Sequence, residues 1–249
     1  SPIIAAGLLL LLSPKAAIVV TAAAFILSAV LVKAAQLPAT ASAGSGRAGL
    51  YTRLKRGPML FLSVPAFRAV VALDLAVALA SAMVKVNTVV LVQGAFHLNR
   101  DASAFAFGAF GIGAVLAAAM LPLLHTRIRD RSLMLGGVAL LVVCLVFGMV
   151  QTRLVGLLIL WFGLGFGAAL ALTPTTFLIR RLARPGDLQV LMAAQMSIAN
   201  GCLLVAYSLA GWLGAELGMG MTFAILSGLT AAAALAFIWL WPTDYAPER

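Results

Sequence analysis

The sequence predicts an all-α fold, a polytopic bundle of membrane-spanning helices, and three observations carry that expectation. Apolar runs of about twenty residues recur along the chain, near 16–35, 69–96, 104–124, 132–151, 154–178, 188–213 and 219–241. A bilayer core about 30 Å thick needs roughly 20 apolar residues of helix. The composition agrees: 63% of residues are hydrophobic, only 10% are charged, and the mean hydropathy is +1.12. A soluble domain sits nearer 45–50% apolar with about 25% charged. The third observation is the register of the basic residues. Thirteen of the 17 Lys and Arg fall in every second link, only Lys15, Arg100 and Arg153 lie in the alternate links, and Lys85 lies inside a span. That bias places the long linker and the carboxyl terminus in the cytoplasm. The net charge of +10 is therefore a topology signal facing anionic headgroups, and nucleic-acid binding is not expected.

Each element follows in order. Residues 1–12, SPIIAAGLLLLL, read as the tail of a span whose beginning is absent, so the chain is expected to be a fragment. Residues 16–35 form a whole span. Residues 36–68 are the one long link, with a flexible Ala/Ser/Gly stretch followed by a basic segment carrying Leu50, Leu54, Leu60 and Phe61. The first part reads as a linker and the second as an interfacial helix. The remaining six runs, within 69–241, are joined by links under about ten residues, so consecutive spans are antiparallel neighbours. A cytoplasmic tail, 242–249, follows. Backbone polar groups cannot stay open in lipid, and a barrel would show period-two alternation, so the spans are helices.

Glycines crowd two spans: Gly108, Gly111 and Gly113 in one, Gly163, Gly165 and Gly167 in another. Close helix packing is their first reading and conformational change the second. Pro174, in LTPTTF, frees a backbone carbonyl and predicts a kink. Trp239 and Trp241 read as a cytoplasmic interface belt. Cys144 and Cys202 lie inside spans and read as small buried hydrophobes.

The span 69–96 holds two charges, Asp74 and Lys85. Eleven residues advance about 1100°, about 20° past three turns, so both point the same way. Ser81 and Thr88 share that face. The stripe Asp74–Ser81–Lys85–Thr88 reads as pathway-lining, because a charge near the bilayer centre seeks water or a partner. The two charges, about 16 Å apart along the axis, cannot pair with each other. Asp74 has a structural alternative, an ion pair with Arg68 or a basic loop; Lys85 has another, snorkelling outward. A second polar cluster lies in 188–213. Asn200 and Tyr207 share a face there, while Gln195 points about 140° from Asn200 and can bond another helix. Interhelical bonding is the alternative reading for this cluster, and for Asn87 and Gln93.

Motifs of soluble enzymes do not occur: the sequence has no phosphate loop, no dinucleotide fingerprint and no metal-ligand spacing, so no cofactor is expected. A membrane-embedded enzyme would need acids or histidines converging at one depth. A non-transporting scaffold or a gene relic is the other alternative.

The layout resembles the later part of a major facilitator superfamily transporter: a six-helix half plus one and a half preceding spans. SPIIAAGLLLLLSPKAA is similar to the end of the family's fifth-span motif, with Pro2 matching its proline and Ser1, Ala5 and Ala6 replacing glycines. LPLLHTRIRDRSLMLGG, 121–137, occupies the place of the family's basic loop Gly-x-x-x-Asp-Arg-x-x-Arg-Arg. That resemblance makes Arg127 and Arg131 gating-loop residues, with Thr126 standing where the acid would be. LDLAVALASAMVKVNTVVLVQ and LTPTTFLIRRLARPGDLQVLMAAQMSIANG are similar to bacterial drug-efflux permeases. The resemblance covers nearly the whole chain. It implies twelve spans in the intact protein, alternating access by two six-helix bundles about a midplane site, and proton-coupled export of a small amphipathic substrate. It also implies a missing amino-terminal bundle as partner, and a bacterial cytoplasmic membrane as location.

Overall fold

A computed structural model describes residues 14–34, 50–125, 128–151, 153–184 and 186–242. The predicted partial span 1–12, most of the linker 36–49 and nearly all of the tail lie outside the described residues. Eight α-helices are described: α1 (Pro14–Ala34), α2 (Leu50–Ser63), α3 (Pro65–Val89), α4 (Arg100–His125), α5 (Asp130–Gly148), α6 (Leu154–Leu182), α7 (Leu188–Glu216) and α8 (Gly218–Leu240). No strand occurs among the described residues. The six helices α3 to α8 are long and apolar enough to cross a membrane, and they coincide with the six runs expected between 69 and 241.

The bundle is organised around α3 and α6. Helix α3 packs on α8, α7 and α6; α6 packs on α4 and α5; α5 closes onto α8. Seventeen of the 25 residues of α3 are buried, and a helix apolar on all but one narrow face is suited to that central place. Glycine sets how closely α6 sits against its neighbours. A Cβ at Gly113 would collide with the backbone of Phe162, and one at Gly165 with the backbone of Phe110, so α4 and α6 touch backbone to backbone. A Cβ at Gly137 would lie 2.7 Å from the Gly167 carbonyl, and one at Gly163 2.6 Å from the Cys144 sulfur, so α5 also sits close, though less so than α4. Small residues let van der Waals packing replace the hydrophobic drive that lipid does not provide. Gly108, by contrast, faces open space.

Helix ends follow local chemistry. Pro65 opens α3 within its first turn, and Val64 before it is extended (φ −90°, ψ 118°), as a residue preceding proline prefers. At the other end α3 loosens into a π-helical turn, Val90–Ala95, and stops at His97, whose φ of 53° is left-handed. Asn99 then starts α4, its side-chain oxygen accepting from the Ala102 N–H at 3.4 Å. Helices α7 and α8 are joined through Leu217 alone, a turn made possible by Gly218 at φ 76°.

Two sequence expectations change. The end of α2 does not rest on lipid alone: Phe61 is fully buried, its ring stacked on Phe67 at 4.6 Å, and Gly57 lies against Ala194 and Val190 of α7. Trp239 is 85% exposed, as an interface residue would be, but Trp241 turns inward and meets the Phe237 ring at a tilt, with centroids 5.3 Å apart. Two residues at the end of a helix point about 200° apart, so both cannot face lipid.

Candidate functional site

Helices α3 and α7 run in the same direction and meet at three heights. At the height nearest the N-termini of both helices Asp74, 3% exposed, accepts two hydrogen bonds from the Gln195 amide Nε2, at 2.8 and 3.0 Å. Eleven residues along α3 and twelve along α7, the Lys85 ammonium lies over the Tyr207 ring, 5.7 Å from its centroid. Above that, Asn87 Nδ2 donates to the Ala210 carbonyl at 3.1 Å. Steps of eleven and twelve residues are about 16 and 18 Å of helix, so the two helices keep register.

The partner of Asp74 is a neutral amide. The ion pair considered from sequence does not form among the described residues, because Arg68 is used elsewhere. Its Nε donates to the Leu62 carbonyl at 2.7 Å, satisfying one of the free carbonyls at the end of α2. The other amide atom of Gln195, Oε1, is buried with no hydrogen-bond partner.

The four residues of the predicted stripe do not share one environment. Asp74, Ser81 and Thr88 are buried, at 3%, 6% and 0% exposure, whereas Lys85 is exposed. Thr88 is fully engaged inside the bundle: its hydroxyl donates to the Val84 carbonyl and accepts from the Trp161 indole N–H of α6 at 2.7 Å. Lys85 sits at one edge of the stripe's 60° arc, and the boundary between packed and open surface falls beside it. Next to it along the helices the exposed residues are apolar: Val89, one turn on in α3, is 44% exposed, and Leu204, one turn before Tyr207 in α7, is 70% exposed.

On α7 the sequence places Asn200 and Tyr207 on one face, and the structure leaves Asn200 exposed and Tyr207 half-buried. Asn200 Nδ2 donates to the Met196 carbonyl at 2.7 Å. Gln195 turns the other way, to α3. Asn87 joins α3 to α7, and Gln93 Nε2 reaches Ser103 Oγ of α4 at 3.3 Å, so both act between helices.

Of the two residues expected in a gating loop, Arg127 lies outside the described residues. Arg131 sits in the first turn of α5, its guanidinium 5.9 Å from the Trp241 ring centroid and its Nε buried without a hydrogen-bond partner. Cation–π contact at such distances holds an arginine without an acid.

Trp161 is a residue the sequence reading passed over. It is fully buried, donates to Thr88 and meets Phe223 of α8 edge-on at 6.2 Å. The available signal was a tryptophan well inside a span, away from both interfaces, whose indole N–H must find an acceptor. Thr175, one residue after the buried Pro174, is another; its hydroxyl is buried without a partner.

Comparison with curated proteins returns no match. The family model of the Major Facilitator Superfamily matches residues 70–249, which include all but the first turn of α3 and the whole of α4 to α8. With six membrane-length helices, a central α3 carrying two charges, and a match over most of its length, the chain belongs to the major facilitator superfamily of multi-pass membrane transporters.

Proposed function

We propose that the protein is a proton-coupled exporter of small amphipathic molecules in a bacterial cytoplasmic membrane. One observation carries the reading: α3 divides its two charges between two environments. Asp74 is buried against a neutral amide, and Lys85, about 16 Å farther along, is exposed beside an aromatic ring and apolar side chains. A buried carboxylate without a counter-cation is a group whose charge a proton can set. An exposed cation flanked by Tyr207, Val89 and Leu204 is a surface for a molecule with a polar and an apolar part.

In this reading Gln195 reports the proton. Toward ionised Asp74 it presents Nε2, the donor. Toward protonated Asp74, turning the amide by half a rotation presents Oε1, which accepts the carboxylic O–H. The substrate path runs along the face bearing Lys85, Asn200 and Tyr207. That face works against a second six-helix bundle, and the two rock about a midplane site. Arg131, and Arg127 with it, belongs to the loop that governs cytoplasmic closure.

The test is transport in proteoliposomes under an imposed pH gradient, with a panel of amphipathic probes. Accumulation should follow the gradient in the unmodified protein, and Asp74→Asn should exchange probe without accumulating it. Gradient-driven accumulation that survives Asp74→Asn would remove Asp74 from coupling.

A further inference from the structure

We infer that the transported molecule is an amphipathic organic anion, its negative group held by Lys85 and its apolar part lying on Tyr207 and the adjoining side chains; this rests on the reading that the Lys85 face lines the path. Within the six membrane-length spans, that of α3 running on through its π-helical turn to Ala95, only Asp74 and Lys85 are charges more than about one turn from an end. Asp74 is buried and its two oxygens face Gln195. The exposed charge at membrane depth is therefore Lys85 alone among the described residues, and the path beside it is positive.

No carboxylate answers that charge among the described residues. The partner of Lys85 is the Tyr207 ring, on one side only. A ring attracts a cation without neutralising it, so the ammonium still presents its charge to whatever enters. In a low-dielectric setting a like charge about 4–6 Å away would be repelled and an opposite one attracted by several-fold in affinity. An inorganic anion would be served by the charge alone. The exposed Val89, one turn along the same helix, and Leu204, one turn before Tyr207, instead suit a molecule that also carries an apolar body. The aromatic face of Tyr207 already packed by the lysine leaves its edge for such a body.

The test uses the full chain in proteoliposomes, with Cys144→Ala and Cys202→Ala as background and Asn200→Cys as a reporter on the same face. The probes are an anionic sulfonatoethyl and a cationic trimethylammonioethyl methanethiosulfonate, each normalised to its rate with free cysteine. The normalised anion-to-cation rate ratio should fall about tenfold on Lys85→Gln and return with Lys85→Arg. In parallel, without the reporter, an aryl-sulfonate dye should be transported in preference to an aryl-ammonium dye of equal size, and Lys85→Gln should lower that transport at least tenfold at equal membrane abundance. A ratio indifferent to Lys85→Gln overturns the inference, as does preferred transport of the ammonium dye or transport of neither, while labelling by both reagents leaves the path itself standing. Labelling by neither reagent overturns the path and the anion together.

Discussion

Trp161 of α6 and Thr88 of α3 are joined by an indole N–H donated to a hydroxyl at 2.7 Å, deep in the bundle and 73 residues apart in the chain. The hydroxyl passes the interaction on to the Val84 carbonyl. Polar contacts between membrane helices average about 0.6 kcal/mol and reach about 1.7. A double-mutant cycle of Trp161→Phe and Thr88→Val, read by thermal unfolding in detergent, should give a coupling in that range. Additive single effects would show that the hydrogen bond contributes nothing.

Glycine at the α4–α6 contact should be far less replaceable than glycine elsewhere. At Gly165 a Cβ meets the backbone of Phe110, which cannot rotate away. Overpacking of that kind costs about 1–3 kcal/mol for one carbon, and more for Val. Gly108 faces open space on the same pair of helices, so Gly108→Ala should be neutral or gain slightly from helix propensity. Comparing detergent melting of Gly165→Ala with Gly108→Ala decides it; equal losses would contradict the contact.

The polar rung at Asp74 gives a pH signature. If Asp74 carries the coupled proton, the pH dependence of driven transport should flatten in Asp74→Asn, while substrate exchange at equal pH on both sides persists. Gln195→Ala should narrow the difference between the two protonation states without abolishing transport, because the carboxyl group remains. A pH profile unchanged in both variants would assign the proton elsewhere.

Lys85→Ala should impair transport at unchanged membrane abundance, since the side chain is exposed and its one contact, over the Tyr207 ring, lies at the surface of the bundle. Thr88→Val, in contrast, should act on stability and leave substrate preference alone. Quantifying membrane protein alongside initial transport rates separates the two outcomes. Full activity in a well-expressed Lys85→Ala protein would take Lys85 off the path.

Much of the architecture was legible in the sequence because a span obeys a length rule. The runs 154–178 and 188–213 are Leu154–Leu182 and Leu188–Glu216 in the structure, longer only where the helix continues into polar ends such as Arg180 and Arg181. Hydropathy stops at the edge of the hydrocarbon, whereas backbone hydrogen bonding does not. The site was legible to a lesser degree. Periodicity placed Asp74, Ser81, Lys85 and Thr88 on one arc but could not draw the line within it, between 3% exposure at Asp74 and open surface at Lys85. That line is set by which neighbouring helix covers which side. The partner of Asp74 was equally hidden: Arg68 is nearer in sequence, yet Gln195, 121 residues away, takes the place.

The three-level meeting of α3 and α7 limits how the two can part. The Asn87–Ala210 bond and the neighbouring Thr88–Trp161 bond fasten α3 near its C-terminal end, whereas the Asp74–Gln195 bond lies about 20 Å below, thirteen residues away. Sliding along the axis would break all of these at once. Tilting about the Asn87–Thr88 end breaks one of these three hydrogen bonds. On such a lever, about 5° of tilt carries Asp74 about 1.7 Å, enough to release its amide while the fulcrum stays intact. Among these polar ties of the central helix, the Asp74–Gln195 pair is thus the one a tilt releases first, while the packing of Phe67, Val70 and Leu73 resists the tilt.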